Sequence, residues 1–581
     1  MATEELVTEQ FQFLGIEVSK EVLSKCVSLC AEHDVDAETF IEQWMAFSLT
    51  ALNGAGPSVE NLNLLEKREF SKRSASRNAP AVDSLSTGTS LTVYGAPASV
   101  QPENEVLSNY MTDTPKRVKI EQTEQVSLQN ELQPVTYSPN VDRSGKYSSR
   151  TNQGSVLHSY GDEKLLAAIS NPTSANDLLE LNISQVRNED GDLYTKAMFG
   201  FELLHEKAST FDNHIRYISQ CIMKKNGFTE SSSVRHKTQT EVFVAGRIEC
   251  DADARLNSKS VVLQGTWDES LSLVVPVDLD SVGQYSLFPG QVVVMRGVNP
   301  RGDKFVAQQV YSDAAKPTPD PRADMMNSLK GTLSMVVATG PYTTSNNMAY
   351  EPLKDLITYV GTHKPHLLLM AGPFMDSDHT KVKDNSMAET YRSFFEKLMD
   401  NLGELATASP FTKIYIVSSQ KDAFHTNIYP TPTYSTRKKH PNIHFLPDPS
   451  TLNINGVLVG ITSTDVLMHI SQEEISLGMG GDKLARLAGH VLSQQCYYPL
   501  WPTTQLPVDA TLWAAHAQVP ATPHIMILPS NFRYFVKEVN GCVVVNPEHL
   551  TKGAGGGTFA RILVAPDSNK HINIGAQIVR I

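Results

Sequence analysis

From residue 333 to the end of the chain, continuous apolar runs alternate with amphipathic stretches, and nothing else in the sequence constrains the fold as tightly. The runs fall at 333–338, 366–370, 414–417, 457–461, 525–528 and 543–545. A strand with one wet face alternates apolar and polar residues, so unbroken runs predict strands covered on both faces. Between them, helical periodicity predicts helices over 353–360, 391–402 and 483–492. The result is a layered α/β domain at 325–581, set off by the prolines at 317, 319 and 321.

Upstream the period changes. Runs at 242–248, 261–264, 273–277, 292–295 and 305–310 are short, rich in valine and separated by Gly, Asn, Asp and Pro. Five strands with no room for crossovers predict a small five-stranded OB barrel at 239–315. Arg301-Gly302-Asp303 lies between two of these strands and reads as a hairpin turn. Before the barrel, 151–238 reads as a helical lead-in, with amphipathic stretches at 178–186 and 211–223. Residues 71–150 are rich in Ser, Thr, Asn, Pro and Gln with no sustained period, the composition of a disordered, phosphorylatable linker. The first 70 residues predict a small all-α domain. In it Ser19 caps a helix bearing Val22, Cys26, Leu29 and Cys30, and Asp36 caps a second bearing Phe40, Ile41, Trp44, Met45 and Phe47.

Bulk properties narrow the function. No apolar run approaches the roughly 18 residues of a membrane span, and Glu4, Glu5 and Glu9 argue against a secretory leader. The six cysteines include no Cys-x-x-Cys pair, so neither a zinc site nor a disulfide framework is expected, and a reducing compartment is. A net charge of −13 repels a phosphate backbone, so contact with nucleic acid is expected to be mainly indirect. The barrel strands also lack the interleaved aromatic and basic residues of a single-strand binder.

In layered α/β domains the chemistry collects on loops after the strands. Here those loops read Gly340-Pro341-Tyr342, Gly372-Pro373-Phe374, Ser418-Ser419-Gln420, Thr462-Ser463-Thr464 and Pro529-Ser530-Asn531. Their order resembles the calcineurin-type metallophosphoesterases, whose tips carry aspartates, an asparagine and histidines around two metal ions. Proline has no side-chain lone pair to offer a metal, and Gly340-Pro341 and Gly372-Pro373 stand where the first two aspartates belong. Asp376, Asp378, His379, Asp422, His425, Asp465 and His469 remain nearby, with Asp376 at the family's second-aspartate spacing. The expectation is an inactive domain with no catalytic residue, metal or cofactor; the alternative is an active metal-dependent phosphodiesterase or nuclease. Gly553-Ala554-Gly555-Gly556-Gly557-Thr558 lacks the Lys-Ser or Lys-Thr of a phosphate loop and reads as a turn before a strand at 558–564.

An OB barrel followed by such a domain resembles the B subunits of the eukaryotic replicative DNA polymerases. The stretches YSSRTNQG, YSLFPGQVVVMRG, GPYTTSNN, ITSTDVLMHI, CYYPLWP, FRYFVKEVNGCVVVNP and LTKGAGGGTFAR are similar to those of the B subunits of the DNA polymerase alpha-primase complex. The resemblance implies a non-catalytic scaffold that binds the zinc-bearing C-terminal domain of the catalytic subunit and reaches primase through the complex. It also implies a nuclear location, support of primer synthesis, and an N-terminal domain that docks other replication factors. On this reading Thr114 and Ser138, each before proline, are candidate phosphorylation sites, and Lys116, Arg117 and Lys119 a candidate nuclear-import cluster. Tyr342, on an exposed tip, and Phe374 are candidate partner contacts.

Overall fold

The computed structural model describes 145–168, 181–186, 199–319 and 332–581 apart from 385, 386, 388, 504 and 567–571. Nearer the start it describes 20–33 and 57–65, with single positions at 11, 18, 40, 41, 44 and 47. Thr114, Lys116, Arg117, Lys119 and Ser138 lie outside the described residues, as do Ser19, Asp36 and Met45. The chain divides into two compact units, Met1–Thr8 with Val18–Gln133 and Glu9–Glu17 with Pro134–Ile581.

In the first unit, helix α1 (Lys20–His33) buries Val22, Cys26, Leu29 and Cys30, the stripe read from the sequence. Phe40, Ile41, Trp44 and Phe47 are helical and buried, and α2 (Val59–Leu65) packs on α1.

The second unit opens with strands β1 (Val156–Tyr160) and β2 (Ile183–Val186), then helix α3 (Leu204–Asn226). The barrel follows: β3 (Thr238–Cys250), β4 (Val261–Gln264), the short helix α4 (Trp267–Ser270), β5 (Val274–Asp278), β6 (Tyr285–Leu287), β7 (Val292–Asn299) and β8 (Phe305–Tyr311). Five of these strands close in the order β3-β4-β5-β8-β7 around Val244, Leu263, Val275, Met295 and Phe305. Helix α3 covers the outside of β3 and β7, setting Ile215, Ile218 and Ile222 on Ala245, Val292 and Val294. Gly302, at φ +83°, turns the chain between β7 and β8, its amide held by Asn299 Oδ1 at 2.7 Å.

The remaining elements run β9 (Leu333–Thr339), α5 (Glu351–His363), β10 (Leu367–Ala371), α6 (Tyr391–Ala408), β11 (Lys413–Val417), β12 (Ile443–Leu446), β13 (Ser450–Ile454) and β14 (Val457–Ile461). After them come α7 (Val466–Glu473), β15 (Ile475–Leu477), α8 (Lys483–Ser493), α9 (Ala510–His516), β16 (Ile525–Ile527), β17 (Phe535–Val539) and β18 (Cys542–Asn546). A small hairpin, β19 (Thr551–Lys552) and β20 (Gly555–Gly556), leads into β21 (Thr558–Pro566) and β22 (Ile572–Arg580). One sheet has the order β1-β22-β21-β9-β10-β11-β12 and the other β17-β18-β16-β14-β13-β2. They face each other across a core that includes Val337, Leu369, Val417, Ile461, Ile527 and Val545. Helices α5 and α6 cover the outer face of the first sheet, and α7, α8 and α9 that of the second. This helix–sheet–sheet–helix layering explains the unbroken apolar runs, since each central strand has packing on both sides.

Two expectations are corrected by the fold. The lead-in is not wholly helical: Ile183–Val186, expected within a helix, is an edge strand paired antiparallel with β13, and β1 pairs with β22. Ile183 and Val186 stand three apart, the spacing of one helix face, but their β-branched side chains and the open edge of β13 favour the strand. The linker's expected end at 150 also moves. Gly145–Ser148 is a helical turn, and Arg150 donates to the carbonyls of Ile581 and Tyr147 at 3.0 and 2.9 Å and pairs with Asp355.

Barrel and sandwich are welded. Gln494, just past α8, accepts from the Val292 amide at 2.8 Å and donates to the Val292 and Ser312 carbonyls at 3.1 and 3.0 Å, so a side chain takes the place of a neighbouring strand. Strand β15 pairs with β6. Beside them Glu474 accepts from Ser286, from Arg486 Nε at 2.9 Å and from His490 Nε2 at 3.1 Å. Gly290, at φ +95°, turns so close to 499–501 that a Cβ there would collide with Trp501 N and come within 2.6 Å of Pro499 O. Among the described residues no helix is long and apolar enough to cross a membrane.

Candidate functional site

Strands β9 to β12 run parallel, as do β14, β16 and β18, so their carboxyl ends open on one edge of the sandwich. That edge is where a phosphoesterase would hold its metals. Here the tips of β9 and β10 close on each other. A Cβ on Gly340 would collide with Pro373 O, and one on Gly372 would lie 2.6 Å from Tyr434 Oη and 2.7 Å from Ser419 Cβ. No side chain, carboxylate or otherwise, fits at either glycine without displacing backbone or packed side chains.

Tyr342 and Phe374 plug the space behind the tips. Their rings stack 4.6 Å apart, the Tyr342 hydroxyl lies 3.0 Å from the carbonyls of Ala338 and Ala371, and their exposures are 0% and 1%. The expectation that they reach a partner from an exposed tip is therefore corrected. The cause is sheet geometry: both loops turn inward against Phe395 and Tyr434 instead of out to solvent.

The polar groups near the edge are used within the fold. Asp422 accepts from the amides of Phe374 and Met375 at 2.7 and 2.6 Å and from the Tyr434 hydroxyl. Burial pushes its carboxyl up to about 7 against the pull of those bonds. Asp376 accepts from the Asp378 amide at 2.9 Å, and Asp378 pairs with Lys383 at 2.8 Å. His379 Nε2 bonds the Thr344 carbonyl at 3.0 Å and His425 Nε2 the Pro432 carbonyl at 2.7 Å. Asp465 caps α7 through the Met468 amide at 3.0 Å and holds the Asn531 amide at 2.8 Å, while His469 Nδ1 meets the Tyr498 hydroxyl at 3.0 Å.

Two groups at this edge were missed from the sequence. His549, past the tip of β18, donates from Nδ1 to the Gly340 carbonyl at 2.6 Å, and burial lowers its affinity for a proton, as it does for His469. Asp448, after β12, accepts from Thr462 Oγ1, Ser463 N, Ser463 Oγ and Thr464 Oγ1 at 2.7 to 3.1 Å, tying the two sheets together. Its only signal in the sequence was a lone carboxylate between prolines in an apolar setting.

A dinuclear centre needs convergent lone pairs, whereas the carboxylates here serve amides, hydroxyls and Lys383, and His379, His425 and His549 each turn a ring nitrogen to a backbone carbonyl. Among the described residues no group of three or more His, Cys, Asp or Glu side chains is placed to hold a metal ion. The residues present do not fit a two-metal centre.

On the barrel, β4 and β5, the strands by which OB folds read oligonucleotides, carry Val, Leu, Gln, Pro and Asp but no aromatic residue. The half-buried stack of Phe228 on Phe243, 4.1 Å apart, lies elsewhere, where α3 meets the barrel.

An OB barrel welded to a phosphoesterase-like sandwich whose metal edge is packed shut defines a class, the accessory B subunits of replicative DNA polymerases. Family models agree along the chain. The model for the N-terminal part of the DNA polymerase alpha B subunit matches 4–72, that for the OB domain of the same B subunit 208–313, and that for the DNA polymerase alpha/epsilon B subunit 335–537. The chain is 31% identical to the DNA polymerase alpha B subunit of Mus musculus and 30% to that of Drosophila melanogaster, each over 100% of both chains. It is 26% identical to that of Saccharomyces cerevisiae over 71% of this chain and 67% of that one. The chain belongs to the family of DNA polymerase alpha B subunits.

Proposed function

We propose that the chain serves the DNA polymerase alpha complex as a non-catalytic scaffold in the nucleus. In this role the welded barrel and sandwich grip the zinc-bearing C-terminal domain of the catalytic subunit. Primase is reached through the complex, and the N-terminal helical unit docks other replication factors. The observation that carries the reading is the packed edge: Tyr342, Phe374 and Asp422 build a rigid core where a hydrolase keeps ligands and an opening for substrate. Rigidity suits a platform, because a partner that binds a preformed surface need not order it first.

Co-purification from moderate salt, without added metal or nucleotide, tests the assembly. A stable complex with the catalytic subunit is expected, and recovery of the chain alone defeats the proposal. Metal analysis with manganese-supported turnover of a generic phosphodiester tests the non-catalytic role, for which neither stoichiometric metal nor turnover is expected. Nuclear import is assigned to Lys116, Arg117 and Lys119, and unchanged localisation of the triple alanine variant would count against that. Thr114 and Ser138 remain candidate phosphorylation sites, to be tested by mass spectrometry of the chain from dividing cells.

A further inference from the structure

Large apolar side chains left in water gather on two segments that meet on one helix. Phe201, Leu203 and Leu204, at the start of α3, and Trp267, Leu271 and Leu273, in the β4–β5 connection, are all exposed, Leu204 to 87%, Phe201 to 70%, Leu271 to 64% and Trp267 to 60%. The connection rests on the middle of α3: the Trp267 amide donates to Asp212 Oδ1 at 2.6 Å and Arg216 pairs with Asp268 at 2.7 Å. Leu204, Ala208 and Asp212 follow one another along a single ridge of the helix, at i, i+4 and i+8, so the two apolar segments share a face.

A second observation concerns how Leu271 is held. Leu271 and Ser272 both take left-handed backbone, at φ 52° and 54°, which disfavours side chains with a Cβ. The turn closes α4, with the Leu271 amide donating to the Trp267 carbonyl at 2.8 Å, and it fixes the leucine side chain pointing outward.

Charge identifies the occupant. Lys207 is matched by Glu202, and Arg216 by Asp212 and Asp268. Arg235, beside the connection, donates its Nε to the Val274 carbonyl at 2.9 Å and is the one of these cations left to set against the acids that follow. Glu206, Glu230 and Glu269 are exposed around the same elements, and no cation is paired with them among the described residues. An apolar strip within a net acidic rim suits a partner with the opposite pattern.

We propose that this face docks an amphipathic helix of a partner protein, with leucine-type residues along one side and lysine or arginine at its flanks. Such docking goes beyond assembly with the catalytic subunit and does not depend on it.

The full chain is titrated against a fluorescein-labelled helix of about 18 residues, apolar at i, i+3, i+4 and i+7 with lysines at both ends, and anisotropy is followed. Saturable binding is expected, with affinity reduced about tenfold or more by Leu204→Glu or Trp267→Ala, changes at exposed positions that leave the core intact. Leu477→Glu, at an exposed apolar site outside this face, is expected to change nothing. A peptide with glutamates in place of the lysines is expected to bind at least about tenfold more weakly. No binding of the basic peptide, equal binding of the acidic one, or indifference to Leu204→Glu and Trp267→Ala would overturn the proposal. So would sedimentation showing a dimer of the chain that those substitutions dissolve, since the face would then serve a second copy. Co-purification with the catalytic subunit, run on the same variants, tells failure here apart from failure of the scaffold reading.

Discussion

Asp422 shows at the scale of one residue how a phosphoesterase-like edge becomes structure. Its carboxyl braces the β10 loop by accepting from Phe374 N, Met375 N and Tyr434, and burial raises its proton affinity to about 7. A carboxyl with a folded pKa above its unfolded value near 3.9 binds protons more readily in the native state. Its favourable contribution is full below the unfolded value and fades as pH rises through about 7. Asp422→Asn keeps the acceptor for both amides, so we expect it to cost less than about 1 kcal/mol at pH 8 and to flatten the fall in melting temperature between pH 4 and 8. Asp422→Ala strands two buried amides and should cost roughly 2–4 kcal/mol at any pH in that range. Thermal unfolding followed against pH checks both. The proline tips were legible in the sequence because proline excludes a ligand by its chemistry. The plug of Tyr342 on Phe374 was not, because whether an aromatic after Gly-Pro turns in or out depends on the neighbouring loop, here on Phe395 and Tyr434.

At the scale of elements, strands with two packed faces were readable because burial on both sides leaves long apolar runs, and β9, β10, β11, β14, β16 and β18 all fall where those runs lie. The edge strand β2 was not, since its two apolar residues stand three apart, which reads as a helix face, and only pairing with β13 makes it a strand. The stretches that carried the resemblance turn out to meet one another: Gly290 of one lies against Trp501 of a second, and Thr551 Oγ1 of a third bonds the Pro341 carbonyl of a fourth at 2.9 Å. Close backbone approach explains both their composition and their spacing. Gly290→Ala tests this most sharply, because the new Cβ would force apart the β6–β7 turn and 499–501 while straining a φ of +95°. A loss of roughly 2–4 kcal/mol is expected, with faster proteolysis of the barrel-to-sandwich connection at 312–319. A proteolysis rate like that of the unchanged chain would show that the turn is not a point of contact.

For the molecule as a whole, the weld predicts that barrel and sandwich unfold together. Glu474 is its electrostatic centre: burial pushes the carboxyl up, but the bonds from His490 and Arg486 outweigh it and hold the group well below the usual carboxylate range. A depressed value means that the contribution is present above the unfolded pKa near 4.3 and is lost as pH falls toward the folded one. Neutral conditions should therefore give a single calorimetric transition for the two domains. Glu474→Gln removes the carboxylate charge that the half-buried Arg486 and the buried His490 share, at a cost of roughly 3–5 kcal/mol. Combined with Gln494→Leu, which orphans the Val292 amide, it should split the transition so that the barrel melts first. The unchanged chain should lose the Glu474 part of this coupling progressively as pH falls below about 4 toward the group's own much lower value, where protonation has the same effect as that single substitution. If the double variant still melts both domains at one temperature, the coupling resides in the apolar contacts of Phe288 with α8 and of α3 with the barrel, and the buried ion pair is dispensable to the platform.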